Sequence, residues 1–106
     1  MKLNKLEKVQ ILGFDVKVIW NEQERGGWFN VSGNGVEIGI GCKLIKKSPE
    51  SVYQTLLHEL SELIHVILCY RYDDDGAAGD YKFFMSHKEF QNHNRILCET
   101  YHKFFK

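Results

Sequence analysis

Proline is nearly missing from this 106-residue chain, where Pro49 stands alone. Proline-rich linkers and polyproline segments are therefore excluded. Net charge is missing too: 14 basic side chains balance 14 acidic ones. A chain so balanced has no global electrostatic pull toward nucleic acid or an anionic membrane, so neither is expected as a partner. Only three cysteines occur, Cys42, Cys69 and Cys98, an odd number with no C-x-x-C spacing. That pattern argues against a secreted disulfide framework and for reduced thiols. Long apolar runs are also lacking. The longest, Leu63 to Cys69, is broken by His65 and is too short to span a bilayer. Met1-Lys2-Leu3-Asn4-Lys5 has no apolar core of a signal peptide, so a cytoplasmic location is expected.

What remains is a chain of single-domain size, residues 1–106, with 43% apolar residues to build one core. Phe14, Val16, Val18 and Trp20 alternate with Asp15, Lys17, Ile19 and Asn21, the period of a strand. Val9 and Ile11 fall on the opposite parity, so a tight turn is expected at Leu12-Gly13 and a hairpin around it. Asn21 to Gly27 reads as a loop ending in Gly26-Gly27. Trp28 to Val31 leads into Ser32-Gly33-Asn34-Gly35, a second hairpin turn, because Asn-Gly supplies the positive φ angles such turns need. Val36, Ile38 and Ile40 share one face of the following strand, with Glu37, Gly39 and Gly41 on the other.

Ser48-Pro49-Glu50 predicts a helix start, and the apolar periodicity carries that helix to about Cys69 or Tyr70. An acidic loop, Asp73 to Asp80, and a short extended piece from Tyr81 to Met85 follow. Ser86-His87-Lys88-Glu89 is a capping-box pattern opening a last helix to about Phe104. Strands segregated from helices predict an α+β fold: a small antiparallel sheet of about three to four strands against two helices.

The chemistry concentrates on the first helix. Ser51, Thr55, His58, Glu62, His65 and Cys69 form a polar stripe on an otherwise apolar helix. Ionisable groups on a buried helix must be paired or bind a metal. His58 and Glu62, four residues apart, lie on one face at a spacing that lets both reach one cation. Glu59 follows His58 directly, the position of the general base in H-E-x-x-H metalloproteases. Here the motif ends in Glu62 rather than His. Two His and one Glu form a catalytic zinc set, so a His from elsewhere is expected as third ligand. His87, at the start of the last helix, is the first choice; His65 and His93 are the alternatives, as ligands or as residues behind them.

His58-Glu59-Leu60-Ser61-Glu62, with Thr55-Leu56-Leu57 before it and Ser86-His87-Lys88-Glu89-Phe90 after it, resembles the small zincin-like proteins of bacteriophages and prophages. The resemblance is close in the helix motif and loose elsewhere. It implies a minimal zincin fold, Zn2+ on His58, Glu59 as base, and hydrolysis of a peptide bond by metal-activated water. It also implies a sheet edge beside the site that pairs with an extended peptide or protein substrate, here Ile38, Gly39, Ile40 and Gly41. Tyr72 or Tyr81 is a candidate to hold the oxyanion.

Simpler readings stand beside these. The stripe can be satisfied by hydrogen bonds, and His65 can be a core histidine bonded to a carbonyl. Glu62-Leu63-Ile64-His65 is an E-x-x-H unit, but di-iron bundles need two of them on four helices. Asp73-Asp74-Asp75-Gly76 misses the later ligand positions of a calcium loop. Phe90, Tyr101, Phe104 and Phe105 are expected as core. Without catalysis, the same fold would serve as a module that binds a host or phage protein, using the surface near Trp28 and Phe29.

Overall fold

The computed structural model describes residues 2–32, 35–69 and 85–106, and the backbone of 71–73 and 81–83. The elements run β1 (Lys8–Ile11), β2 (Phe14–Asn21), β3 (Gly27–Ser32), β4 (Gly35–Gly41), α1 (Pro49–Ile67), β5 (Arg71–Asp73), β6 (Tyr81–Phe83) and α2 (His87–His102). The fold is α+β, as the order of patterns predicts. The calcium-loop residues Asp74 to Gly76 and the side chains of Tyr72 and Tyr81 lie outside the described residues.

The turn at Leu12-Gly13 forms where the parity shifts. Ile11 pairs with Phe14 across it, and both turn residues have positive φ, 51° and 86°. Such a turn matches the twist of the two strands, although a leucine at positive φ is strained. Ser32 pairs with Gly35 across the second turn, and Gly35 takes φ 128°.

The sheet is mixed rather than wholly antiparallel, in the order β1-β2-β4-β3. β3 runs out to the edge, and β4 returns between β2 and β3, parallel to β2 and antiparallel to β3. This overturns the expectation that Ile38, Gly39, Ile40 and Gly41 form a substrate edge, because β4 has a strand on each side. The glycines have another use. A Cβ on Gly39 would lie 2.3 Å from the indole of Trp28, and one on Gly41 would lie 2.6 Å from the Glu24 carbonyl oxygen. The space that a substrate backbone was expected to take is filled by the chain's own residues.

The core lies between the sheet and α1. Val16, Val18, Ile38 and Ile40 face Val52, Leu56, Leu60, Leu63 and Ile64, all buried. Antiparallel to α1, α2 adds Ile96, and its tail adds Phe104. Phe104 meets Trp20 edge-on, and the Trp20 indole N–H donates to the Leu6 carbonyl at 2.8 Å. Phe90, expected in the core, is exposed on α2. The helix-start pattern at Ser86 is realised in full. The Glu89 N–H donates to the Ser86 hydroxyl at 3.2 Å, and the Ser86 N–H donates to the Glu89 carboxylate at 2.9 Å. Among the described residues no helix is long and apolar enough to cross a membrane.

Candidate metal centre

Where α1 passes under the start of β3, its polar stripe divides into two groups. Ser51, Thr55 and His58 of the stripe line a groove with Glu59, Gly26 and Gly27, while His65 turns against α2. His58 Nε2 stands 3.2 Å from Glu62 Oε2. That is the distance of a direct i, i+4 ion pair when the imidazole is protonated, and it is also close to the roughly 3.3 Å between two ligands on a tetrahedral zinc with bonds of ~2.0–2.1 Å. One ligand atom each from His58, Glu59 and Glu62 lies within 4.8 Å of the others. The i, i+4 relation on a straight helix is what brings the first and last together.

Glu59 decides the character of the site. It is only 5% exposed, and its Oε2 is buried with no hydrogen-bond partner. The start of β3 lies directly on it: a Cβ on Gly27 would stand 2.8 Å from Glu59 Cγ and 2.9 Å from Thr55 Cγ2. Burial therefore pushes the Glu59 carboxyl above the ordinary carboxylate range; the nearby Glu62 carboxylate adds to this, and His58 opposes it. Two carboxylates at close range, one with an unpartnered oxygen, form a site that a cation would complete. The residues present fit a divalent metal.

The third ligand expected from α2 does not join this group. His87 is exposed at the first residue of α2. The reason is the direction of α2. His93 contacts Ser61 while Phe105, just past α2, contacts Tyr53, so earlier residues of α2 lie toward the C-terminal end of α1. His87 is six residues before His93, about 9 Å along the helix, and on the side away from His58.

His65 and His93 are buried and lie against each other, with ring centroids 3.8 Å apart and ring planes tilted by 36°. His65 Nδ1 lies 2.6 Å from the Ser61 carbonyl oxygen, and His93 Nε2 lies 3.3 Å from both the carbonyl and hydroxyl oxygens of Ser61. The bland reading of His65 as a core histidine bonded to a carbonyl describes this contact. The pair braces the residue next to Glu62 from the α2 side. Sequence reasoning missed Gly27 as the wall over Glu59. The only signal was the Gly26-Gly27 dipeptide, read as a loop.

No protein-family model, curated protein or solved structure matches the chain.

Proposed function

We propose that the chain is a small divalent-metal protein of the metallohydrolase type, with His58 and Glu62 as ligands and Glu59 as general base. The observation that carries this reading is the buried Glu59 side chain, one carboxylate oxygen of which has no partner, with a ligand atom within 4.8 Å of those of His58 and Glu62. A bound Zn2+ would supply Lewis acidity, polarising a substrate carbonyl and making water more acidic. His58 and Glu62 hold it on a rigid helix. Glu59, with its carboxyl raised by burial, is suited to take a proton from attacking water and return it to the leaving amine. The groove beside it, about 540 Å³ and open to solvent, gives a peptide substrate access. The H-E-x-x-E spacing of His58, Glu59 and Glu62 on one helix is in keeping with the same reading. Cys42, Cys69 and Cys98 are all unbridged, which suits a cytoplasmic setting.

Elemental analysis of the purified protein tests the centre. One Zn2+ per chain is expected, and none in His58→Ala. Zinc-loaded protein should then cleave an unstructured peptide pool, and Glu59→Gln should not. Metal-free protein that takes up no added zinc would refute the proposal. A second reading, a non-catalytic binding module, draws on Trp28, which exposes 46% of its surface on the edge strand β3. Under that reading Trp28→Ala abolishes function and Glu59→Gln does not.

A further inference from the structure

The neutral total hides an uneven distribution of charge. Residues 1–6, 42–48 and 103–106 carry Lys2, Lys5, Lys43, Lys46, Lys47, Lys103 and Lys106, half of the chain's 14 basic side chains, and no aspartate or glutamate. Each segment mixes these lysines with apolar residues that pin it to the core: Leu3 and Leu6 in the first, Ile45 in the second, Phe104 and Phe105 in the third. The lysines themselves are all exposed. The fold brings the three segments to one end of the sheet, where β2 and β4 finish side by side at Asn21 and Gly41. Lys2 and Lys106 exchange backbone hydrogen bonds at 3.2 and 3.0 Å. Phe104 lies edge-on against Trp20, and the carbonyl of Asn21, the next residue, accepts from the Cys42 N–H at 2.8 Å. Among the described residues only Lys5 of this group has an ion-pair partner, Glu22 at 3.5 Å. Glu7, Glu24 and Glu50 stand at the margins of the segments, so lysines outnumber carboxylates at this end. Three aromatic residues gather there as well. The Phe105 ring centroid lies 5.2 Å from that of Tyr53 and 4.9 Å from that of Tyr101, and all three residues are partly exposed.

We propose that this end of the molecule binds a single-stranded nucleic acid, with its phosphates on the lysines and its bases against Tyr53, Tyr101 and Phe105. The proposal does not rest on the metal centre. A surplus of charge confined to one end creates a local positive potential whatever the total, and it does so from where the segments lie rather than from the pose of any one side chain. A polyanion held there gains by releasing its condensed counterions as the lysines neutralise phosphates. Lysines alone would serve any polyanion, and the rings decide among them. Unpaired bases stack on aromatic side chains, whereas a duplex keeps its bases stacked on one another. An acidic protein segment has no base to place on the rings, and its carboxylates would use the lysines alone.

The test titrates the full chain, with chelator present, into a fluorescently labelled deoxythymidine strand of about 20 nucleotides and follows anisotropy. A Kd in the micromolar range is expected at low salt. Raising the salt from about 50 to about 200 mM should weaken binding roughly fiftyfold, the slope for about four neutralised phosphates on a single strand. The triple variant Lys46→Gln, Lys47→Gln, Lys106→Gln should bind about tenfold or more weakly, with a flatter salt dependence. Lys17→Gln with Lys88→Gln, on β2 and at the start of α2, should stay within about twofold of the unaltered chain. Tyr53→Leu should lose about fivefold or more, the worth of one stacked base. Absence of binding at low salt, or binding that survives the triple variant, overturns the proposal. Equal affinity for a duplex of the same length, equal displacement of the strand by polyglutamate of the same charge, or full affinity in Tyr53→Leu overturns the assignment to a single strand. Unchanged circular dichroism spectra verify that the variants fold.

Discussion

Glu59→Gln separates the energetic consequences of the site from its chemistry. In the metal-free protein, burial favours the neutral form of Glu59, so the folded chain binds this proton more tightly than the unfolded chain. Below the ordinary carboxylate pKa both states are protonated, and burial of Glu59 carries no charge penalty. As pH rises through the raised folded-state value, the penalty develops and stability is lost. Gln removes the charge at similar volume. It should therefore stabilise the metal-free protein at pH 8 by about 1–2 kcal/mol, the scale of a buried group left unsatisfied. For a domain of this size that is a rise in Tm of roughly 4–16 °C. At pH 4 the gain should fall to near zero. Adding zinc at pH 8 should narrow the difference by raising the Tm of the unaltered chain. Differential scanning fluorimetry over pH 4–8, with and without zinc, measures every arm. A gain that is the same at pH 4 and pH 8 would refute the account of a charged, unpartnered carboxylate.

Three further outcomes follow from the same geometry. Gly27→Ala places a methyl group 2.8 Å from Glu59 Cγ and from the Gly39 carbonyl oxygen; it should destabilise by about 1–3 kcal/mol in urea unfolding and weaken zinc uptake. Leu12→Asn relieves a leucine at φ 51° in a two-residue turn, where asparagine is favoured; a gain of about 0.5–1 kcal/mol is expected, with zinc affinity unchanged. His93→Ala empties the space against His65 and Ser61 between the helices; a loss of about 2 kcal/mol is expected from denaturant midpoints, with zinc content retained, because His93 stands outside the ligand group.

Local patterns in this sequence were legible because they are enforced locally. The parity shift at Leu12-Gly13 marks a turn, since a strand cannot change its buried face without one. Ser86 and Glu89 mark a helix start because the orphan N–H groups there need partners. His58 and Glu62 converge because a helix turns once in 3.6 residues. Other features depended on which distant segments meet. Nothing local in Val36 to Gly41 says that β4 returns inside β3 rather than beyond it, and the glycines that suggested an open edge instead admit Trp28 and the loop before β3. The position of His87 likewise follows from the direction of α2, fixed by His93 on Ser61 and Phe105 on Tyr53, contacts made across more than thirty residues of chain.

The displacement of His87 from the centre bears on what kind of site this is. With one imidazole and two carboxylates gathered on a single helix, the two candidate ligands, His58 and Glu62, and the candidate base, Glu59, come from five consecutive residues of α1. The helix alone sets the spacing of these side chains, while β3 supplies the cover over Glu59. Its weakness in the metal-free state is the burial of Glu59 beneath Gly27 of β3, to which the nearby Glu62 carboxylate adds. A buried acid with one unpartnered oxygen beneath a glycine, close to a histidine and a second carboxylate, is a costly arrangement that a bound cation would offset.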